Sequence, residues 1–153
     1  MSSFEQGQAQ MLLGEDVYIN NSAGIHLEKS GMVFDGGKLI ANRDGVYGFV
    51  SFGDESQWEG ADHTSYVDGF VRTYNKEAFN FPIGHDGVFQ SLRIKRINDD
   101  GAPVDMSFNF TPHNHLNKEE GIELISDRFY WTVIARDSAY VSLSCNAFGN
   151  VDD

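Results

Sequence analysis

The chain has 153 residues, a formal charge of −12 from 11 basic and 23 acidic side chains, and 13% aromatic residues. That length fits one domain whose core needs no disulfide staple, and the single cysteine, Cys145, has no internal partner to form one. The acidic balance argues against nucleic acid as a partner, because like charge repels phosphate backbones, and no apolar run approaches the roughly 20 residues of a membrane-spanning helix, so membrane insertion is not expected.

Residues 1–15 read as an N-terminal extension. Met1 to Gln10 has neither the basic nor the apolar region of an intact signal peptide. Helical signal is nearly absent: Phe4 to Leu13 could form a short helix, although its apolar spacing is poor, and Lys118-Glu119-Glu120 could begin one turn that Gly121 interrupts. A single β-domain is expected over 16–153. Its first part, about 16–45, runs in short apolar bursts: Val17-Tyr18-Ile19, Ile25-His26-Leu27, Met32-Val33-Phe34 and Lys38-Leu39-Ile40. Turn pairs such as Asn20-Asn21, Gly36-Gly37 and Asp44-Gly45 separate them. Strands this short suit either a tight meander or the coils of a small solenoid.

From about 46 to 150 the strands lengthen and alternate. Val46 to Phe52 is mostly apolar. Tyr66, Phe70 and Tyr74 oppose Val67, Val71 and Thr73; Leu92 and Ile94 oppose Arg93 and Lys95; Met106, Phe108 and Phe110 oppose Ser107, Asn109 and Thr111. Trp131, Val133 and Ala135 place Trp131 in the core, and Val141 to Ala147 closes the series with Cys145 on its apolar face. A period of two over so many segments predicts an all-β antiparallel sandwich with one dry and one wet face. Asn98-Asp99-Asp100-Gly101 and His85-Asp86-Gly87 carry hairpin chemistry, Gly84 is expected to take a positive φ after Phe81-Pro82, and Asp137-Ser138 is expected to link the last two strands tightly.

The segments Val67-Asp68-Gly69-Phe70-Val71-Arg72-Thr73 and Phe79-Asn80-Phe81-Pro82-Ile83-Gly84, followed by Phe129-Tyr130-Trp131-Thr132-Val133 and a valine-containing last strand, occur in an ordered series. In motif order and spacing the chain from about Asp16 onward resembles a β-domain of large secreted or cell-surface proteins of the Bacteroidetes. In that family a V-x-G-x-V-x-K strand leads to F-x-FPVG and later to Y-W-x-[VL]. The resemblance implies an extracellular or cell-surface location in a Gram-negative bacterium, export by the type IX secretion route, and partners among other surface or secretion-machinery proteins. It carries over no catalytic residue.

The residues themselves hold several candidates for chemistry. Trp58, Asp62 and His63 lie in the polar stretch Asp54 to Thr64, where an exposed aromatic beside carboxylates would suit stacking on a glycan ring; a loop packed down on the sheet is the alternative. Asp99, Asp100 and Asp105 surround Gly101, and Asp54, Glu55, Glu59 and Asp62 surround Gly60. Oxygen-rich loops of this kind hold calcium, the one cofactor to consider, although neither follows the D-x-D-x-D-G order and turn aspartates explain both. His113 and His115, with Glu119 or Glu120, have the spacing of metal ligands within a loop. No G-x-S-x-G nucleophile motif and no phosphate-binding glycine loop is present. The expected function is therefore a non-catalytic structural or recognition module. A carbohydrate-binding or adhesin module, or a subunit of a surface filament or secretion-associated assembly, are its rivals.

Overall fold

A computed structural model describes residues 9–19, 24–41, 43, 49–96, 102–109, 130–135 and 141–145. Among them there is no helix, and the protein is all-β. Nine short strands among the described residues make up the first half: β1 (Gln10–Leu13), β2 (Val17–Tyr18), β3 (Ile25–Leu27), β4 (Gly31–Phe34), β5 (Leu39–Ile40), β6 (Val50–Phe52), β7 (Trp58–Glu59), β8 (Val67–Asp68) and β9 (Val71–Thr73). They pair in parallel as β1-β4-β7, β2-β5-β8 and β3-β6-β9. Every third strand thus returns beside the one before it, and the chain winds in stacked coils with three faces.

This pairing corrects the sequence reading in several places. Residues 10–13 form a strand rather than a helix, and it pairs in parallel with β4. The parallel ladders rule out a meander for 16–45, since a meander pairs antiparallel. They also continue past residue 46: β6 pairs with β9 in parallel, where antiparallel pairing was expected. The alternation was legible, but alternation reports which side is dry and not which direction the neighbouring strand runs.

Inside the coils, residues of successive turns stack in rows. Leu39 and Val67 are in register and Val67 bridges to Ile83, all three fully buried. Val50 lies beside Val71, and Phe52 beside Thr73. Such rows bury β-branched and aromatic side chains at about 1.5–3 kcal/mol each, and this burial is what holds strands of two or three residues in place. The corners are tight. Gly53 donates its N–H to the Leu27 carbonyl at 2.8 Å, and a Cβ at Gly53 would collide with the Glu28 backbone of the coil above. Buried serines tie coil to coil as well: Ser56 donates to the Ser30 carbonyl, and Ser65 to the Gly37 carbonyl at 2.6 Å.

The second half closes the stack with antiparallel strands. These are β10 (Ala78–Phe81), β11 (Gly84–His85), β12 (Val88–Phe89), β13 (Leu92–Arg96), β14 (Val104–Asn109), β15 (Tyr130–Ala135) and β16 (Val141–Cys145). β13 lies between β10 and β16, and β14 joins the third face by pairing with β9 on one side and β15 on the other. Phe79, Phe81, Leu92 and Ile94 are buried, and the Phe79 ring meets Phe52 of the coil interior. Trp131 and Val133 pack against the same core, as the alternation of that strand predicts.

Of the predicted turns, 98–101 and Asp137-Ser138 lie outside the described residues. His85-Asp86-Gly87 does close the β11–β12 hairpin, with Asp86 and Gly87 both at positive φ, 47° and 80°. The strands flanking 98–101 are not partners, because β13 and β14 sit in different sheets, and the same holds for β15 and β16 around Asp137-Ser138. Gly84 does not take a positive φ. It is required because a Cβ there would meet the Tyr66 ring at 2.8 Å.

Candidate functional site

The third face carries the feature most suggestive of recognition. Because β3, β6, β9 and β14 run side by side, His26, Ser51, Arg72 and Asp105 form one row across four strands. Their neighbours in sequence point into the core, so period two turns this row to the opposite face of the sheet, where His26 is exposed while Ser51 and Asp105 are buried and Arg72 is largely so. At its upper end lies a recess of about 390 Å³, lined among others by His26, Glu28, Ser51, Asp54 and Tyr74. The close approach of Gly53 to residue 28 brings the two coils together at its margin.

Ser51 is the anomaly. It is only 2% exposed, and its Oγ is the one buried side-chain polar atom without a hydrogen-bond partner among the described residues. The buried corner serines Ser56 and Ser65 both donate to carbonyls, so the orphan is not a general property of this fold. An unsatisfied buried hydroxyl costs about 1–3 kcal/mol, so a hydrogen-bonding partner for Ser51 Oγ is expected.

The lower end of the row is locked. Asp105 is fully buried and takes both hydrogen bonds of a bidentate pair from Arg72, Nε to Oδ1 at 2.6 Å and Nη2 to Oδ2 at 2.9 Å. Hydrogen bonding to Asp105 drives the Arg72 pKa further up from its ordinary value, so this guanidinium stays charged. The Arg72 guanidinium lies 4.2 Å from the centroid of the Phe49 ring. The pair therefore fixes β14 to β9.

A second polar cluster sits at β8. Asp68 accepts from Arg43 Nε at 2.7 Å and faces His85 Nδ1 at 3.1 Å, while the Arg43 guanidinium also donates to the Gly84 carbonyl at 3.3 Å. These contacts tie β11 to the second face and account for all three side chains as structure.

The structure brings Trp58, Asp62 and His63 to one neighbourhood around Phe89. Trp58 stands in register with Met32, is half-buried between Phe34 and Phe89, and donates its ring N–H to the Asn80 carbonyl. His63 Nδ1 accepts from the Phe89 N–H at 3.1 Å. Asp62 accepts from both the hydroxyl and the amide of Thr64, bonds that hold its carboxyl below the usual range. Here the packed-down alternative describes the Trp58 ring, and Asp62 serves its own turn. Of the calcium candidates, Asp105 gives both oxygens to Arg72, while Asp99 and Asp100 lie outside the described residues, as do His113, His115, Glu119 and Glu120. The Cys145 side chain also lies outside them. Among the described residues, no group of three or more His, Cys, Asp and Glu is placed to hold a metal ion.

Sequence reasoning missed His26, Ser51 and Tyr74 as a group. Each occupies a position within an alternating strand or at its end, but their meeting depends on coil register. Comparison of the chain with family models finds no match, and comparison with curated proteins and with solved structures finds none either.

Proposed function

We propose that this chain is a non-catalytic structural and recognition module of a bacterial surface or secreted protein. The observation that carries this reading is the recess of about 390 Å³ lined by His26, Glu28, Ser51 and Tyr74. Parallel coils hold its lining at fixed register, and a preformed recess favours binding because little freedom is lost when a partner docks. The resemblance to Bacteroidetes surface domains supports the extracellular location and the type IX route. Sandwich-like packing is assigned to the antiparallel C-terminal half. Two experiments test the reading. Fractionation of the native host should find the chain outside the cell or on its surface, and a cytoplasmic location would overturn the assignment. Protein immobilised on beads should retain a defined envelope component that free protein competes away, and retention no greater than on blank beads would overturn the recognition role.

A second reading, a subunit of a surface filament or secretion-associated assembly, is favoured by the first coil. Among the described residues β1, β2 and β3 each pair on one side only, and Leu12 and Tyr18 are 66% and 62% exposed. Unpaired strand edges with apolar side chains nearby invite another chain. Light scattering should then find concentration-dependent oligomers that the double variant Leu12→Lys, Tyr18→Lys abolishes; a monomer at every concentration excludes this reading.

A further inference from the structure

We propose that the recess beside Ser51 binds a neutral saccharide unit, a hexose alone or as part of a longer glycan. The inference rests on the reading of the chain as a recognition module and names the ligand class of that same face. Its volume, about 390 Å³, lies at the lower end of the roughly 300–1,000 Å³ range of small-molecule sites.

The lining fits hydroxyl groups better than ions. Asp54 is already engaged: its Oδ1 accepts the Lys76 N–H at 2.8 Å, and its Oδ2 lies 3.5 Å from the Lys76 ammonium. Glu28 remains as a carboxylate acceptor at the rim, beside the His26 imidazole and the Ser51 hydroxyl. Imidazole and hydroxyl both donate and accept, as sugar hydroxyls do, whereas an ammonium group only donates. The ring of Tyr74 supplies an apolar surface for the C–H face of a pyranose. An anionic ligand would meet Glu28 and Asp54 together with a chain charge of −12. Ser51 Oγ, enclosed and unpartnered, gains its missing bond when a rotamer change turns it to a sugar hydroxyl entering the recess.

The test is an NMR titration of the full chain with glucose, galactose, mannose and their linear oligomers, with glucuronate and Nα-acetyl-lysine amide as contrasting probes. The expected result is that at least one neutral sugar shifts the resonances of His26, Glu28 and Tyr74. Ser51→Ala, by loss of one hydrogen bond, and Glu28→Gln, by replacing a charged acceptor with a weaker neutral one, should each weaken that binding about tenfold, while Trp58→Phe leaves it unchanged. Glu28→Gln alters an exposed side chain, so its effect does not depend on the fold tolerating a core change. Shifts confined to the Trp58 and Phe89 region, tighter binding of glucuronate or of the lysine amide, or no response to any neutral sugar would each overturn the assignment. If envelope retention persists in Ser51→Ala and Glu28→Gln while no sugar binds, the recognition module stands and the saccharide falls.

Discussion

Replacing Asp105 by Ala tests the join between the coils and the C-terminal strands. Asp105 has no exposed side-chain surface and Arg72 only 16%, and the two exchange a bidentate pair across β9 and β14. Removing one partner of a buried ion pair costs about 3–5 kcal/mol, because the other charge is left without compensation. Arg72 retains some water and the face of the Phe49 ring, which places the expected loss near about 3 kcal/mol. For a chain of this size each kcal/mol moves the melting temperature by about 2–4 °C, so the drop should be roughly 6–12 °C. Chemical denaturation of wild type and Asp105→Ala measures it directly. The double variant Arg72→Met, Asp105→Leu should recover most of the loss, since a well-packed apolar pair replaces a buried ion pair at little cost. A loss below about 1 kcal/mol for Asp105→Ala, the range of an exposed pair, would refute the claim that this contact pins the two halves together.

Ser51→Ala should stabilise the free protein by about 1 kcal/mol, since it removes a buried hydroxyl with no partner; a destabilised variant in urea melts would mean that Ser51 has a bond in solution. Gly53→Ala should cost several times more than the ~1 kcal/mol typical of point mutations, because its Cβ meets the backbone of residue 28, and a melting curve like that of wild type would contradict the stacking of these coils. The Asp62 carboxyl should titrate below its ordinary value of 3.8, because the Thr64 hydroxyl and amide donate to its charged form. The sign follows: the contribution of this turn is present above that ordinary value and fades as the pH falls through the lower, folded one. Carboxyl NMR should show the midpoint returning upward in Thr64→Val, and a midpoint at or above 3.8 in the wild type would dismiss the argument.

The dry face could be read along several strands, but not the covering of the other: Ser107, expected on the wet face opposite Met106, is buried, and Tyr66 and Phe70 are buried along with Val67 and Val71. Val17, Ile25, Met32 and Leu39 each start or fall within the bursts that became β2 to β5, and the Leu92/Ile94 and Trp131/Val133 alternations gave the dry faces correctly. The Asp86-Gly87 hairpin was also legible, because left-handed φ values at two consecutive positions have a clear local signature. The Trp58 loop looked suited to display, yet its ring fills space between Phe34 and Phe89, contacts that come from residues distant in sequence.

The all-β class was already written in the residue order, because a side-chain period of two is a local property that seven or eight residues reveal. The parallel run of β6 beside β9, the place of 10–13 in the first coil, and the row His26, Ser51, Arg72 and Asp105 emerge from long-range pairing alone. Parallel and antiparallel neighbours bury the same alternating face. The choice between them, and with it the assembly of the recess, is made by backbone hydrogen bonds between segments a whole coil apart.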